Sequence, residues 1–218
     1  MSSRTPGVPT AGPSRSQGTG DRGQAKYTDS CPLSPVPCLP SPGEKMELRN
    51  KTVAVLVEQQ YQEMEVWYPY YRLKEAGATV VMVGPEAGKT YASKLGYPAK
   101  SDKAAKDVSG GDLDRIVIPG GFAPDYFRRD PATVQLVKDV FARGKVVAAI
   151  CHGPWLLCST PALKGKRVTC FFSIKDDVTN AGGKYVDEET VVDGNLITAR
   201  KPDDLPAFMS AVIRSLRG

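Results

Sequence analysis

Val146-Val147-Ala148-Ala149-Ile150-Cys151-His152-Gly153-Pro154-Trp155 is the stretch whose reading decides the fold. Its first residues, small or apolar, predict a buried strand, and the step Cys151-His152-Gly153-Pro154 turns straight into an apolar, helical segment. This is the layout of a nucleophile elbow, a sharp strand-to-helix turn that holds a reactive side chain and needs small residues where backbones pass closely. Ala149 and Gly153, on either side of the cysteine, supply them. Pro154 suits the first helical position, where a missing N–H costs nothing. A helix starting there aims its positive end at Cys151 and favours the thiolate, the form that attacks carbon. The same cysteine also fits a plain core position, because free cysteines are among the most buried residue types. The chain's single histidine is its neighbour His152, which tips the reading toward a nucleophile.

At 218 residues the chain is long enough for one good-sized core and too short for two generous ones. Its hydrophobic fraction of 41% and charged fraction of 24% are those of a soluble globular protein. The net charge of +5 comes from Lys and Arg scattered among Asp and Glu, so no nucleic-acid footprint is indicated. No apolar run approaches the ~20 residues of a membrane span, and no basic-then-apolar start marks a secretory signal. The 5 cysteines, Cys31, Cys38, Cys151, Cys158 and Cys170, are odd in number without a framework spacing, which suits a reducing, cytoplasmic compartment. One His and no C-x-x-C pair leave no ligand set for zinc.

Outward from the elbow, the chain divides at its N-terminal side. Residues 1–45 are crowded with Pro, Gly and Ser and read as a disordered tail in which Cys31 and Cys38 have no structural role. Arg4, Arg15 and Arg22 hint at a transit peptide, but Asp21, Asp29 and the prolines oppose an amphipathic helix. The stretch beginning at Met46 looks like the natural start of the domain, 46–218, so the tail fits an over-extended reading frame.

Residues 52–57 (TVAVLV) predict a buried parallel strand. A helix follows over 62–73, closed by Gly77; Pro69 lacks the N–H that would pair with the carbonyl of Glu65, which places Glu65 at the helix start or at a kink. A second strand is expected over 78–83, a weakly patterned connection over 84–111, and a third strand over 114–119, broken by Gly120-Gly121. Asp130-Pro131 opens a helix that ends at Gly144 and leads into the elbow strand. Beyond the elbow come a strand over 166–172, a short helix over 173–181, a hairpin of 189–192 with 196–199, and a last helix over about 203–216. Alternating strands and helices imply a mostly parallel sheet covered on both faces, with sites outside the carboxyl ends of its strands. The elbow, the first-strand turn and the Gly120-Gly121 turn all lie at such ends.

Five blocks in order resemble the PfpI family, the intracellular-protease and deglycase group of the class I glutamine amidotransferase-like superfamily. They begin with the helix from Glu63 to Gly77 and Ile118-Pro119-Gly120-Gly121-Phe122-Ala123-Pro124-Asp125. Ala149-Ile150-Cys151-His152-Gly153-Pro154 and Ser173-Ile174-Lys175-Asp176-Asp177 follow, then Val192-Asp193-Gly194-Asn195-Leu196 running on to Arg200-Lys201-Pro202-Asp203-Asp204-Leu205-Pro206. The resemblance covers about 50–218 and implies an α/β, flavodoxin-like three-layer sandwich that assembles as a homodimer or homohexamer. It puts Cys151 in the place of the family nucleophile, His152 in that of its neighbour, and Glu65 in that of the carboxyl that hydrogen-bonds the sulfur. Asp125 falls where peptidase-like members carry an acid that orients the histidine, in several cases across a subunit boundary. Gln62 departs from members with a second glutamate there.

Glu65 on its own reads as a solvated glutamate at a helix start; the resemblance moves it to the sulfur. A carboxylate beside a thiolate is a like-charge pair, so the stable arrangement keeps one proton between them. Adjacent side chains usually diverge, so His152 is expected to move protons on substrate rather than to activate Cys151. Gly120-Gly121 is either a plain turn or, with the N–H of His152, an oxyanion hole. No phosphate-binding glycine signature follows the first strand. Cys158, Cys170, Trp155 and Tyr185 are expected in the core. Trp67, Tyr68, Tyr70 and Tyr71 are expected in packing or a subunit interface, with one ring walling the pocket. The leading expectation is a cofactor-free cysteine enzyme that binds α-oxoaldehydes or their protein adducts through a thiohemiacetal on Cys151, glyoxalase III- or deglycase-like. A cysteine peptidase using Cys151, His152 and Asp125 is the alternative, and a redox-sensing or chaperone protein is a third.

Overall fold

Residues 48–217 are described by the computed structural model. The expected tail at 1–45 and the start at Met46 lie outside the described residues. The strands are β1 (Thr52–Leu56), β2 (Thr79–Gly84), β3 (Thr90–Ala92), β4 (Pro98–Lys100), β5 (Lys103–Ala104), β6 (Arg115–Ile118), β7 (Val146–Ile150), β8 (Arg167–Val168), β9 (Lys184–Tyr185), β10 (Thr190–Asp193) and β11 (Leu196–Ala199). The helices are α1 (Glu63–Glu75), α2 (Ala123–Arg129), α3 (Pro131–Ala142), α4 (Pro154–Leu157), α5 (Lys175–Asn180) and α6 (Leu205–Leu216).

The main sheet runs β10-β11-β7-β6-β1-β2-β5. Every pair in it is parallel except β10 with β11, the hairpin expected at Asp193-Gly194-Asn195. Counting only β1, β2, β6, β7 and β11, the order is that of the flavodoxin-like doubly wound fold. The chain leaves β1 toward β2 on one side and returns to β6 on the other, so the loops after β1 and β6 flank a switch point, and β7 with Cys151 stands beside β6. All of β7 and most of β1 are buried, as strands covered on both faces must be. Helices α1 and α6 pack together over β1, β2, β7 and β11, and α3 packs on β6 and β7.

Local chemistry sets the boundaries. Gln62 caps α1 by accepting from Met64 N–H at 2.7 Å, and Gly77, at φ 95, ends it. Pro69 is accommodated inside α1, four residues past Glu65, which keeps Glu65 in the first turn. Asp130 caps α3 through Thr133 N–H at 3.1 Å with Pro131 following, as its sequence predicts.

The structure narrows or adds to the expectations at four places. The strand expected over 166–172 is only β8, which pairs with β9 outside the main sheet. Its continuation bends under the elbow, where Thr169 N–H bonds Thr198 Oγ1 at 3.0 Å and Phe171 N–H bonds Cys151 O at 2.8 Å, partners that no ladder supplies. The helix expected over 173–181 is a 3₁₀ turn, Phe172–Ile174, followed by α5. The elbow helix α4 has a single turn, because Thr160 caps a new 3₁₀ turn at Pro161 and Cys158 ends α4 rather than continuing it. The unassigned 84–111 contains the β3–β4 hairpin and edge strand β5, and α2 fills a segment that Gly and Pro made look like loop. No helix among the described residues is long and apolar enough to cross a membrane.

Candidate active site

Cys151 directly follows β7 with φ 61, a left-handed backbone that a residue other than Gly adopts at a cost of about 1–3 kcal/mol. Hydrogen bonds on both sides hold it there: Cys151 N–H to Ala199 O at 2.9 Å and Gly153 N–H to Ile150 O at 2.7 Å. Gly153 has to be glycine, since a Cβ would lie 2.5 Å from Ile118 O. Gly120 has to be glycine as well, since its Cβ would lie 2.7 Å from His152 N, 2.8 Å from Cys151 Cβ and 2.9 Å from Glu65 Oε2. The elbow, the Gly120 turn and α1 therefore converge on the sulfur.

Glu65 is 0% exposed, not solvated as its sequence position alone suggests. Its Oε2 accepts from Gly120 N–H at 2.7 Å. Its Oε1 is buried and has no donor in hydrogen-bonding geometry among the described residues. Burial pushes the Glu65 carboxyl up to about 7, against smaller downward pulls from the Gly120 N–H and the Cys151 thiol. Burial, then the Glu65 charge, push the Cys151 thiol upward as well, while the N–H groups of Gly121 and His152 favour charge on its sulfur. The sign is opposite to the thiolate expected from the helix end. A one-turn α4 has little dipole to offer, and desolvation of the buried Cys151, 6% exposed as a residue, outweighs it.

His152 reaches the sulfur, with Nδ1 at 3.3 Å from Cys151 Sγ. The expected divergence of neighbouring side chains fails because the left-handed turn at Cys151 brings both to one side. Nε2 lies 3.1 Å from Ser173 Oγ, and the ring stacks on Phe171 at 4.7 Å. Burial and then the charge of Lys94 hold the imidazole below its ordinary value, so it is neutral at neutral pH. In the tautomer with the proton on Nε2, donated to Ser173, Nδ1 can accept the thiol proton.

Asp125 is not brought to His152 within the chain; its carboxyl pairs with Arg129 one turn along α2, and Ser173 occupies the orienting position. Gly120 is not a free oxyanion donor, because its N–H is engaged by Glu65. Gly121, at φ 73, and His152 present the N–H groups that face the sulfur. Trp155, expected in the core, is half-buried at 6.4 Å from the His152 ring, and Tyr185 is partly buried. Burial pushes Cys158 up to about 11 and Cys170 up to about 12, so both stay thiols. Ser173, Phe171 and Lys94 had no role in the sequence reading; only Ser173 lay in a motif, and nothing in the spacing ties it to His152.

Residues 51–215 match the DJ-1/PfpI family. The chain belongs to the DJ-1/PfpI family. It is 39% identical over 165 residues to Deglycase PfpI of Pyrococcus furiosus, covering 76% of this chain and 99% of that one. It is also 39% identical over 169 residues to Protein/nucleic acid deglycase 2 of Escherichia coli, covering 77% and 98%. A solved two-domain protein of Anabaena variabilis, with DJ-1/ThiJ/PfpI-like and ferritin-like domains, superposes with a TM-score of 0.75 at 43% identity. That match covers 76% of this chain and 48%, about half, of the other. Within this DJ-1/PfpI domain, the α1 aromatics Trp67, Tyr68 and Tyr71 line a groove whose walls do not include Cys151. Met64, Leu95 and Tyr97 line the same groove, which has a volume of about 860 Å³.

Proposed function

We propose that the chain is a cofactor-free cysteine enzyme acting on α-oxoaldehydes, free or as adducts with protein amines. The observation that carries this reading is the buried Cys151–Glu65 pair, with a carboxyl raised to about 7 and the N–H groups of Gly121 and His152 at the sulfur. Sulfur attacks the aldehyde carbon as the thiol proton passes through Glu65 or His152 to the carbonyl oxygen, giving a thiohemiacetal and leaving Glu65 an ionised base. Glu65 then removes the proton from the former aldehyde carbon and returns it to the adjacent carbon, while the hydroxyl proton moves from the first oxygen to the second, leaving a 2-hydroxyacyl thioester. Water hydrolyses the thioester, releasing the 2-hydroxy acid and restoring the thiol. The Gly121 and His152 N–H groups would bind the oxygen that gains charge. The names of the two deglycase relatives support this substrate class.

The 3.3 Å approach of His152 Nδ1 to Cys151 Sγ favours a second reading, peptide hydrolysis by a Cys–His pair. Asp125, tied to Arg129 in its own chain, would then serve the His152 of a neighbouring copy. A homodimer or homohexamer in the cytoplasm is part of the proposal, and the exposed side chains of Met64, Tyr71, Leu95 and Tyr97 along the α1 groove support self-association.

Methylglyoxal consumption with chiral analysis of the lactate, in wild type and Cys151→Ser, tests the first reading beside casein and fluorogenic-peptide assays. Loss of aldehyde turnover in the variant is the expected result. Peptide turnover without any aldehyde activity would sink it.

A further inference from the structure

Four aromatic side chains gather at the elbow. Phe171 N–H bonds Cys151 O at 2.8 Å, and its ring stacks at 4.7 Å on the His152 imidazole, whose Nδ1 lies 3.3 Å from the sulfur. Ser173 Oγ meets the other ring nitrogen of His152 at 3.1 Å. Phe172 is held between these two anchored residues, its ring 4.7 Å from that of Phe171. Trp155 N–H bonds His152 O at 2.9 Å, and the indole lies 6.4 Å from the imidazole. Phe122 meets the indole edge-on at 6.2 Å. It follows the Gly120-Gly121 turn, where a Cβ on Gly120 would come within 2.8 Å of Cys151 Cβ, and its N–H is fixed to Gln60 O at 2.9 Å. Ring contacts thus run unbroken from Phe122 through Trp155, His152 and Phe171 to Phe172, with the sulfur's neighbour at the centre of the run.

Both ends of the run leave ring surface in water: Phe172 is 69% exposed and Phe122 42%. The run is braced from outside. Arg128 lies over the Trp155 ring at 5.8 Å and is tied to Ser159 Oγ at 2.9 Å. Arg129 pairs with Asp125, so both guanidiniums of α2 are engaged and the run itself offers ring surface. Such surfaces hold a second ring, edge-on or offset, more tightly than its area alone accounts for. A methyl group beside the attacked carbonyl covers little of them, and an aryl group in the same place covers much more.

We propose that Phe122 and Phe172, with Trp155 and Phe171 between them, make the Cys151 site selective for α-oxoaldehydes that carry an aromatic ring on the second carbonyl carbon. Arylglyoxals are then preferred over methylglyoxal. By the route above, phenylglyoxal and one water give mandelate, with no other reactant. This rests on the cysteine-enzyme reading above, so its test includes a readout that does not need turnover.

Initial-rate kcat/KM is measured for phenylglyoxal, cyclohexylglyoxal (a saturated ring of similar size) and methylglyoxal in wild type, Phe122→Ala, Phe172→Ala and Phe172→Tyr. The readout without turnover is the rate of Cys151 alkylation by N-phenyl-2-iodoacetamide relative to iodoacetamide, followed by peptide mass mapping. Loss of one ring contact predicts that each alanine variant lowers the phenylglyoxal-to-methylglyoxal ratio and the alkylation ratio by about fivefold, the former through KM, while methylglyoxal turnover stays within about twofold. Cyclohexylglyoxal loses less than phenylglyoxal, and Phe172→Tyr, which keeps the ring, retains both ratios.

Equal losses on all three aldehydes, a loss on cyclohexylglyoxal as large as that on phenylglyoxal, or an alkylation ratio unchanged in either alanine variant would overturn the proposal. So would a lower mass of either variant in sedimentation, which would assign its ring to an interface between copies of the chain. If no aldehyde is consumed in a Cys151-dependent way while the alkylation ratio still falls, the reaction assigned to the site is wrong and the aromatic recognition beside Cys151 stands.

Discussion

Replacing Glu65 with Gln exposes the cost of holding a carboxyl in a dry site. Burial raises the Glu65 carboxyl from 4.5 to about 7, so the folded chain binds a proton more tightly than the unfolded chain does. Between those values the folded state holds more protons, and stability therefore falls as pH rises through the window and levels off above it. At about 1.4 kcal/mol per pH unit, the loss is about 3 kcal/mol by pH 8. Glu65→Gln keeps an acceptor for Gly120 N–H and has no proton to lose. Its own cost, a Gln N–H₂ placed where Oε1 finds no partner, is about 1–3 kcal/mol and does not vary with pH. Urea unfolding of both proteins under reducing conditions at pH 5 and pH 8 measures the difference, because titrating groups that do not feel Glu65 cancel in the comparison and burial keeps Cys151 a thiol in both folds. The variant is expected to gain about 2.5 kcal/mol on wild type between the two pH values, part of the loss having occurred by pH 5, which for a domain of this size is roughly 5–10 °C in Tm. A difference that does not change with pH would show that Glu65 is ionised and solvated in the fold, and the shared-proton pair would fall with it.

Gly120→Ala forces a Cβ to within 2.7 Å of His152 N, and is expected to cost about 1–3 kcal/mol in urea unfolding and to reduce methylglyoxal turnover more than 100-fold. Ser173→Ala removes the partner of His152 Nε2; kcat/KM should fall about tenfold while unfolding stability stays within about 0.5 kcal/mol. Tyr71→Asp with Leu95→Asp places charge on two of the exposed groove residues, and sedimentation should show a lower-mass species than wild type.

What the sequence made legible was local. The β-branched run ending at Leu56, the Asp130-Pro131 cap and the Asp193-Gly194-Asn195 hairpin carry their signals within a few residues, and each forms as read. The segment after Val168 does not, because its partners, Thr198 Oγ1 and Cys151 O, come from distant parts of the chain. Helix α2 was hidden by Gly121 and Pro124, residues that serve a turn and a helix start equally well.

At the candidate site, the convergence of residues was readable and electrostatic sign was not. Cys151, Glu65 and His152 are brought together, but whether the thiol is raised or lowered depends on burial, which only the packed structure supplies. Asp125 shows the same limit. The motif marks its position, yet Arg129, one helical turn away, takes its carboxyl.

The central claim is that Cys151 and Glu65 share one proton and that this pair supplies the nucleophile for an α-oxoaldehyde. It is tested most directly by the pH dependence of kcat/KM for methylglyoxal in wild type and Glu65→Gln. In wild type the acid limb should lie near the pair's first deprotonation, about 7. In Glu65→Gln the carboxyl that titrates near 7 is gone and only His152 remains to take the thiol proton, so the limb should leave pH 7 and the maximum rate should fall. An acid limb at the same pH in both proteins, or no Cys151-dependent loss of methylglyoxal at any pH, would contradict the account.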